Sequence, residues 1–354
     1  MKGLILAAGR GTRLRPLTHT RPKPVIRVAG KPIIIYAVEN LLAAGIEEIG
    51  VVVSPDTRAD VKAVLDSHNG AEVTLILQEQ PRGLAHAVRA ARGWLGDSPF
   101  LLYLGDNLFE KGVTGLKESF EVAEQGTAAV LALVGVEDPR QFGVALMHEG
   151  RITRLMEKPK EPPTNLAVAG VYAFSPLIHG MIEGLEPSLR GEYEITDAVQ
   201  ALIDAGYLVL GRHIEGWWKD TGRAEDLLDA NRLLLAGLQA RVDGEVRDSR
   251  LVGKVVVERG ARVRGSTILG PALIAADSLV ENAFVGPFTS IGPEARVRAS
   301  EIEYSIVADR ASIESVATRL QECIIGVNAS VSSRPGLPKA HRLVIGDESR
   351  VEIG

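Results

Sequence analysis

The chain is poor in several things that would have pointed elsewhere. It has one cysteine, Cys323, in 354 residues. That excludes an intrachain disulfide and a cysteine-rich metal site. Aromatic residues make up only 5%, so a surface that stacks many nucleic-acid bases is not expected. The net charge of −5 argues against bulk nucleic-acid binding and leaves room for a local basic site. No apolar run approaches the roughly 20 residues of a membrane helix. The opening Met1-Lys2 and its short apolar run end in Gly9-Arg10-Gly11 with no cleavage pattern, so a cytoplasmic protein is expected. The Walker spacing G-x-x-x-x-G-K-S/T is absent. The dinucleotide fingerprint G-x-G-x-x-G fails at its third glycine, where Leu14 stands.

What is present begins at the first residues. Leu4 to Ala8 reads as a buried parallel strand and runs into Gly9-Arg10-Gly11-Thr12-Arg13. Two glycines spaced by one residue let backbone N–H groups turn toward an anion. Arg13 and Lys23 add positive charge, and phosphate is the natural guest. By itself a G-x-G turn is as often an empty turn as a site; Thr12, Arg13, Pro16 and Pro22-Lys23-Pro24 tip the balance here.

The following residues alternate strand and helix: helix Ile33 to Ala44, strand Ile49 to Val53, helix Asp60 to Ser67, strand Val73 to Leu77. A helix over Leu84 to Leu95, interrupted by a glycine, and a strand Phe100 to Leu104 complete the series. Such βαβα alternation predicts a Rossmann-like, mostly parallel sheet, with ligands beyond the carboxyl ends of its strands. The Gly9 loop, Gln78 and Asp106 all fall at such ends. Strands over Ala128 to Val134, Gly143 to Met147 and Ala167 to Phe174 suggest a substrate half built on the same sheet. A helix from Ala224 to about Gln239 leads out of it.

Beyond it the pattern changes. Aliphatic residues recur every five or six positions: Leu251, Val257, Val263; Ile268, Ile274, Val280; Val285, Ile291, Val297; Ile302, Val307, Ile313. The first members of these triplets are 17 residues apart. Neither a helix nor a plain strand has this period. A hexapeptide parallel β-helix does, with one inward aliphatic residue per side and three sides per coil. The domains expected are residues 1–240 and 241–354.

The stretch Gly9-x-Gly11-Thr12-Arg13-Leu14-x-Pro16-Leu17-Thr18, followed by Pro22-Lys23-Pro24, resembles the signature of the sugar-1-phosphate nucleotidylyltransferases. With the later motifs it is most similar to the long form of glucose-1-phosphate thymidylyltransferase, and the resemblance covers nearly the whole chain. It implies an α/β nucleotidyltransferase domain followed by a left-handed parallel β-helix. The implied reaction is transfer of a nucleotidyl group from dTTP to glucose-1-phosphate, giving dTDP-glucose and pyrophosphate, with Mg²⁺ as cofactor; the β-helix reads as an oligomerisation or regulatory module whose flat faces and open end pair copies into a homo-oligomer.

Residue by residue, the resemblance implies that Asp106 and Asp220 hold the metal, and that Arg13 and Lys23 contact the triphosphate. Leu6, Ala8, Gly9, Gly11, Thr12, Gln78 and Gly83 then line the nucleotide, with Gln78 and Gly83 at the base. Gly143, Glu157, Lys158, Gly170 and Arg190 line the sugar phosphate. Each has a plainer reading. An Asp after a strand is usually a turn or cap residue. The segment Glu157-Lys158-Pro159 reads on composition as a charged surface loop, and Thr196 and Asp197 read as capping the helix that follows them. Either sugar-site glycine reads equally well as a bulge.

Two departures bear on the substrate. Residue 24 is Pro where these enzymes commonly carry Gln, and residue 142 is Phe where many short forms carry Tyr. Both bear on which nucleotide and sugar are used, and UTP in place of dTTP keeps the chemistry. Acyl transfer by the β-helix is a second class, but the repeats hold no histidine base and His341 lies in the tail. A non-catalytic regulatory subunit is a third; Arg13, Lys23, Asp106 and Asp220, which such proteins tend to lose, are all present.

Overall fold

A computed structural model describes residues 1–9, 11–68 and 72–333; His341 lies outside them. Two compact units divide the chain. The first comprises Met1–Arg10, Arg21–Val25 and Ile33–Asp220, the second Gly11–Thr20, Ile26–Pro32 and Thr221–Gly354. The boundary expected at 240/241 thus falls inside the second unit. Among the described residues no helix is long and apolar enough to cross a membrane.

The first unit is built on a nine-stranded sheet. Its strands are β1 (Lys2–Leu6), β2 (Ile49–Val53), β3 (Val73–Leu77) and β4 (Phe100–Leu104), then, after a short β5 (Asn107–Phe109) outside the sheet, β6 (Thr127–Gly135), β7 (Gly143–His148), β8 (Arg151–Glu157), β9 (Leu166–Phe174) and β10 (Leu208–His213). Their order across the sheet is β3-β2-β1-β4-β9-β6-β10-β8-β7. The first four strands are parallel, as their βα alternation requires. Beyond β4 directions mix: β9 runs antiparallel to both β4 and β6, while β10 is parallel to β6.

The apolar runs of β1, β2 and β4 follow from burial on both faces. Leu4, Leu6, Val52 and Leu102 pack with one core, and Ile5, Val51, Leu101 and Tyr103 with the other. Helix α1 (Ile33–Ala43) covers the second face through Ile34, Ile35, Val38 and Leu41. The first is covered by α3 (Leu84–Ala90) and α7 (Ile195–Asp204), the intervening helices being α2 (Arg58–Asp66), α4 (Arg92–Leu95), α5 (Thr114–Glu121) and α6 (Leu177–Glu183).

Two local expectations are corrected. The helix expected over 84–95 breaks at Ala91 rather than at its glycine: the Ala91 N–H donates to both Ala87 and Val88 carbonyls, and Gly93 lies inside α4. Thr196 and Asp197 do not precede their helix. Glu194 occupies the cap position, and both residues belong to the first turn of α7.

In the second unit three all-parallel sheets of six, six and five short strands run along the coils. Register is one coil per step: Leu251 pairs with Ile268, Ile268 with Val285, Val285 with Ile302. Eleven of the twelve aliphatic positions read from the sequence are buried, with Leu251 partly so at the first coil. A further coil, with Leu320, Ile325 and Val331 inward, escaped the period because it is reached after 18 residues instead of 17. Helix α8 (Ala224–Ala236) belongs to this unit. Its Leu235 packs on Val256 and Leu273, and its buried Asn231 bonds Ala29 N, Ser290 Oγ and the Phe288 carbonyl.

Candidate active site

Asp106 is the first residue past Gly105 at the end of β4, and Asp220 closes the short strand β11 (Trp218–Asp220). β11 pairs antiparallel with β5, setting Asp220 opposite Asn107. This two-stranded ribbon brings the two carboxylates to one place. Between them stands Lys23, only 8% exposed, with Nζ 2.7 Å from Asp106 Oδ2 and 3.6 Å from Asp220 Oδ1. Burial works against the charged form of Asp106, but the Lys23 ammonium and the Asn107 amide outweigh it. Its carboxyl is held below the usual carboxylate range.

The ribbon is braced from behind. Asn107, itself buried, donates from Nδ2 to Asp106 Oδ1 at 2.8 Å and accepts from Trp218 Nε1 at 2.7 Å. Tyr103 Oη donates to the Asn107 carbonyl and accepts from Asn40. Gly170, at a φ of 73°, lies so close that a β-carbon there would come within 2.8 Å of Asn107. The Trp218 ring meets Phe142 edge-on at 5.3 Å, so Phe142, where many short forms carry Tyr, has an aromatic packing partner. Pro24 is buried in the 3-10 turn Lys23–Val25.

A second cluster gathers at the end of the β7–β8 hairpin, where Glu157 pairs with Gly143. Glu157 lies 3.5 Å from Lys158 Nζ and 3.6 Å from Arg190, and accepts from Thr196 Oγ1 at 3.1 Å. The Lys158 N–H donates to the Phe142 carbonyl. Arg190 also meets Glu194 at 3.0 Å and Glu192 at 3.1 Å. Burial costs the guanidinium something, yet the surrounding carboxylates hold it still more firmly charged. Burial likewise raises Glu194 and Asp197.

Gln78 follows β3 and is buried. Gly83 sits at a φ of 101°, and a β-carbon there would strike the Tyr193 backbone at 2.5 Å. Tyr193 N donates to the Arg82 carbonyl and its own carbonyl accepts from Ala85 N. The 82–85 turn is thereby tied to the 190–194 segment that carries Arg190. Leu6 and Ala8 are buried at and just past the end of β1, and Gly9 is exposed. Gly11, Thr12 and Arg13 belong to the second unit. There Thr12–Leu14 form a 3-10 turn, Thr18 Oγ1 donates to the Gly11 carbonyl at 2.8 Å, and Arg13 is exposed.

Of the expected residues, then, Lys23, Asp106 and Asp220 converge, as do Gly143, Glu157, Lys158 and Arg190. Sequence reasoning missed the bracing residues Tyr103, Asn107, Tyr193, Thr196 and Trp218. Of these only Thr196 had been singled out, as a helix cap, and nothing in the local pattern of any of them marks the bonds they make.

Residues 2–237 match the family model described as Nucleotidyl transferase. Two Streptomyces proteins named glucose-1-phosphate thymidylyltransferase align over the whole chain and 99% of their own lengths. That of Streptomyces antibioticus is 46% identical and that of Streptomyces griseus 47%. A Bacillus anthracis protein assigned as a glucose-1-phosphate thymidylyltransferase, solved in complex with a sucrose, superposes with a TM-score of 0.62 at 34% identity. That match covers 66% of this chain and 94% of the other.

Proposed function

Since the chain belongs to the nucleotidyl transferase family, we propose that it joins dTTP and glucose-1-phosphate into dTDP-glucose with release of pyrophosphate. A phosphate oxygen of the sugar phosphate attacks the α-phosphorus. The bond from that phosphorus to the bridging oxygen breaks, and pyrophosphate leaves in line.

The observation that carries the reading is the pair Asp106 and Asp220, distant in sequence, closing on the one ammonium of Lys23. Two hard carboxylate oxygens around one centre of positive charge form a donor set suited to Mg²⁺, which binds through one or two carboxylates plus substrate phosphates. When bound, Mg²⁺ would act as a Lewis acid that neutralises phosphate charge. Lys23 stabilises the negative charge that grows on the leaving pyrophosphate. The backbone around Leu6, Ala8 and Gly9 lines the nucleotide, and Gln78 and Gly83 meet its base. Lys158 and Arg190 hold the sugar phosphate, and Glu157 accepts from sugar hydroxyls beside Gly143 and Gly170. Nucleoside triphosphates and sugar phosphates are metabolites of the cell interior, which fits a cytoplasmic enzyme.

The test is pyrophosphate release with Mg²⁺ and glucose-1-phosphate, comparing dTTP, UTP, GTP, CTP and ATP. A preference for dTTP is expected. A preference for UTP keeps the mechanism and replaces the substrate, and silence with every nucleotide and with other sugar phosphates removes the reading.

The parallel coils read as a self-association module, since their flat faces and open end offer surfaces that two copies can share. Sedimentation equilibrium at micromolar concentration is expected to show a homo-oligomer; a monomer alone would discard this assembly.

A further inference from the structure

Gln78 is 3% exposed, and its amide is held from two sides. Nε2 lies 3.3 Å from the Gly83 carbonyl oxygen and 2.8 Å from His86 Nδ1. A carbonyl oxygen only accepts, so the amide end that faces Gly83 is the NH₂ group. The second amide hydrogen then points to His86 Nδ1, which accepts it when the imidazole is neutral and carries its proton on Nε2. Both amide hydrogens are thereby engaged. Among the described residues no donor meets Gln78 Oε1. The amide offers a ligand one thing, an acceptor.

We propose that His86 is a positioning residue for base choice: by accepting from Gln78 it fixes the amide so that only its oxygen is left for the base. This selects thymine and uracil, whose N3–H donates, over cytosine, whose N3 accepts. The proposal deepens the functional reading above and rests on its assignment of Gln78 to the base.

The surroundings keep His86 in the state this requires. Burial lowers its pKa below the ordinary 6.5, and Arg89 on its own helix and Arg82 on the preceding turn push the same way. From the third side the Tyr193 ring stacks at 6.1 Å, with the Arg89 guanidinium 4.9 Å over that ring. Gln78 and Tyr193 bring no charge of their own at neutral pH. Protonation would turn Nδ1 into a donor facing a donor. The amide would then rotate and present its NH₂ group to the base, where N3–H also donates.

The experiment measures kcat and KM for dTTP, UTP and CTP on the intact enzyme, from about pH 5.5 to 8.5 around the ordinary histidine pKa. His86→Phe keeps a ring for Tyr193 and removes the acceptor; His86→Gln keeps an acceptor that does not titrate. In the wild type, KM for dTTP is expected to rise as pH falls through the His86 pKa. In His86→Phe, KM for dTTP should be about tenfold higher with kcat within about twofold, and the dTTP-over-CTP preference about tenfold lower, the scale of one orienting hydrogen bond. The acid rise should vanish in both variants, and His86→Gln should recover most of the KM. An unchanged preference together with a surviving acid rise overturns the proposal, and if the Phe variant does not fold, the acid limb of His86→Gln decides. A wild-type enzyme that turns over no pyrimidine triphosphate overturns the functional reading and this proposal together. Normal wild-type turnover with unaltered variants overturns this proposal alone.

Discussion

Asp106→Asn is expected to lower Mg²⁺-dependent pyrophosphate release by about 10³-fold, the order lost when one preorganised electrostatic partner is removed from a reacting centre. The variant should melt within about 4 °C of the parent, since it costs at most on the order of 1 kcal/mol. The two halves of this expectation have separate causes. Asn is isosteric, and its oxygen can still accept from Lys23 Nζ, which sits 2.7 Å from Asp106 Oδ2; its amide nitrogen then takes the place of Oδ1, and the single bond from Asn107 Nδ2 at 2.8 Å is lost. The ribbon of β5 and β11 is held by its backbone pairing, which does not pass through this side chain, and keeps its shape. What disappears is one of two anionic hard-oxygen donors, and Asp220 is the carboxylate that stays beside Lys23. Activity across a Mg²⁺ titration, with circular-dichroism melting alongside, separates the halves. A rate within tenfold of the parent at saturating Mg²⁺ would remove Asp106 from the metal site.

Gly170→Ala should cost about 10²-fold in kcat/KM and about 2 kcal/mol of stability, without touching any group that bears charge. Gly170 has a φ of 73°, a region that disfavours a side chain by roughly 1–2 kcal/mol. Its β-carbon would lie 2.8 Å from Asn107 Cγ and Oδ1. Asn107 is 3% exposed and held by Asp106 and Trp218, so it can yield only by moving the Asp106 carboxylate. Displacements near 1 Å in a reactive arrangement cost on the order of 10²-fold. Steady-state kinetics and chemical denaturation measure both quantities. The double variant Gly170→Ala/Asn107→Ala gives the decisive comparison: the clash is gone, so its loss of stability should be well below the sum of the single losses. Strict additivity would mean that the glycine is needed for its backbone angle alone.

These two residues mark how far the sequence could be read. Asp106 stood out because it follows a strand in a βα series, where ligands gather. Gly170 was read as a sugar-site glycine by resemblance or as a bulge, while the side chain it makes room for, that of Asn107, comes from another part of the chain. Gly83 is similar. A β-carbon there would strike the Tyr193 backbone, which no spacing in residues 78–85 foretells. Strands β8 and β10 were not read either: mixed pairing within one sheet leaves half-exposed, charged strands such as Arg151–Glu157 with no clear run of apolar residues.

By itself the sequence determined the phosphate-loop signature, the parallel start of the sheet and the coils, down to the side chains that point inward. Those features are local or repeat at a fixed step. A coil touches only its neighbours, so its packing is written as a period of 17 residues, and a strand buried on both faces is written as an apolar run. The tertiary structure alone decided which charges meet. Lys23, Asp106 and Asp220 come together through a ribbon of two three-residue strands, too short to leave a period. Glu157, Arg190 and Thr196 meet through a hairpin end and the first turn of a helix. Such contacts are fixed by where the chain returns in space, and a pattern read along one dimension carries no record of that.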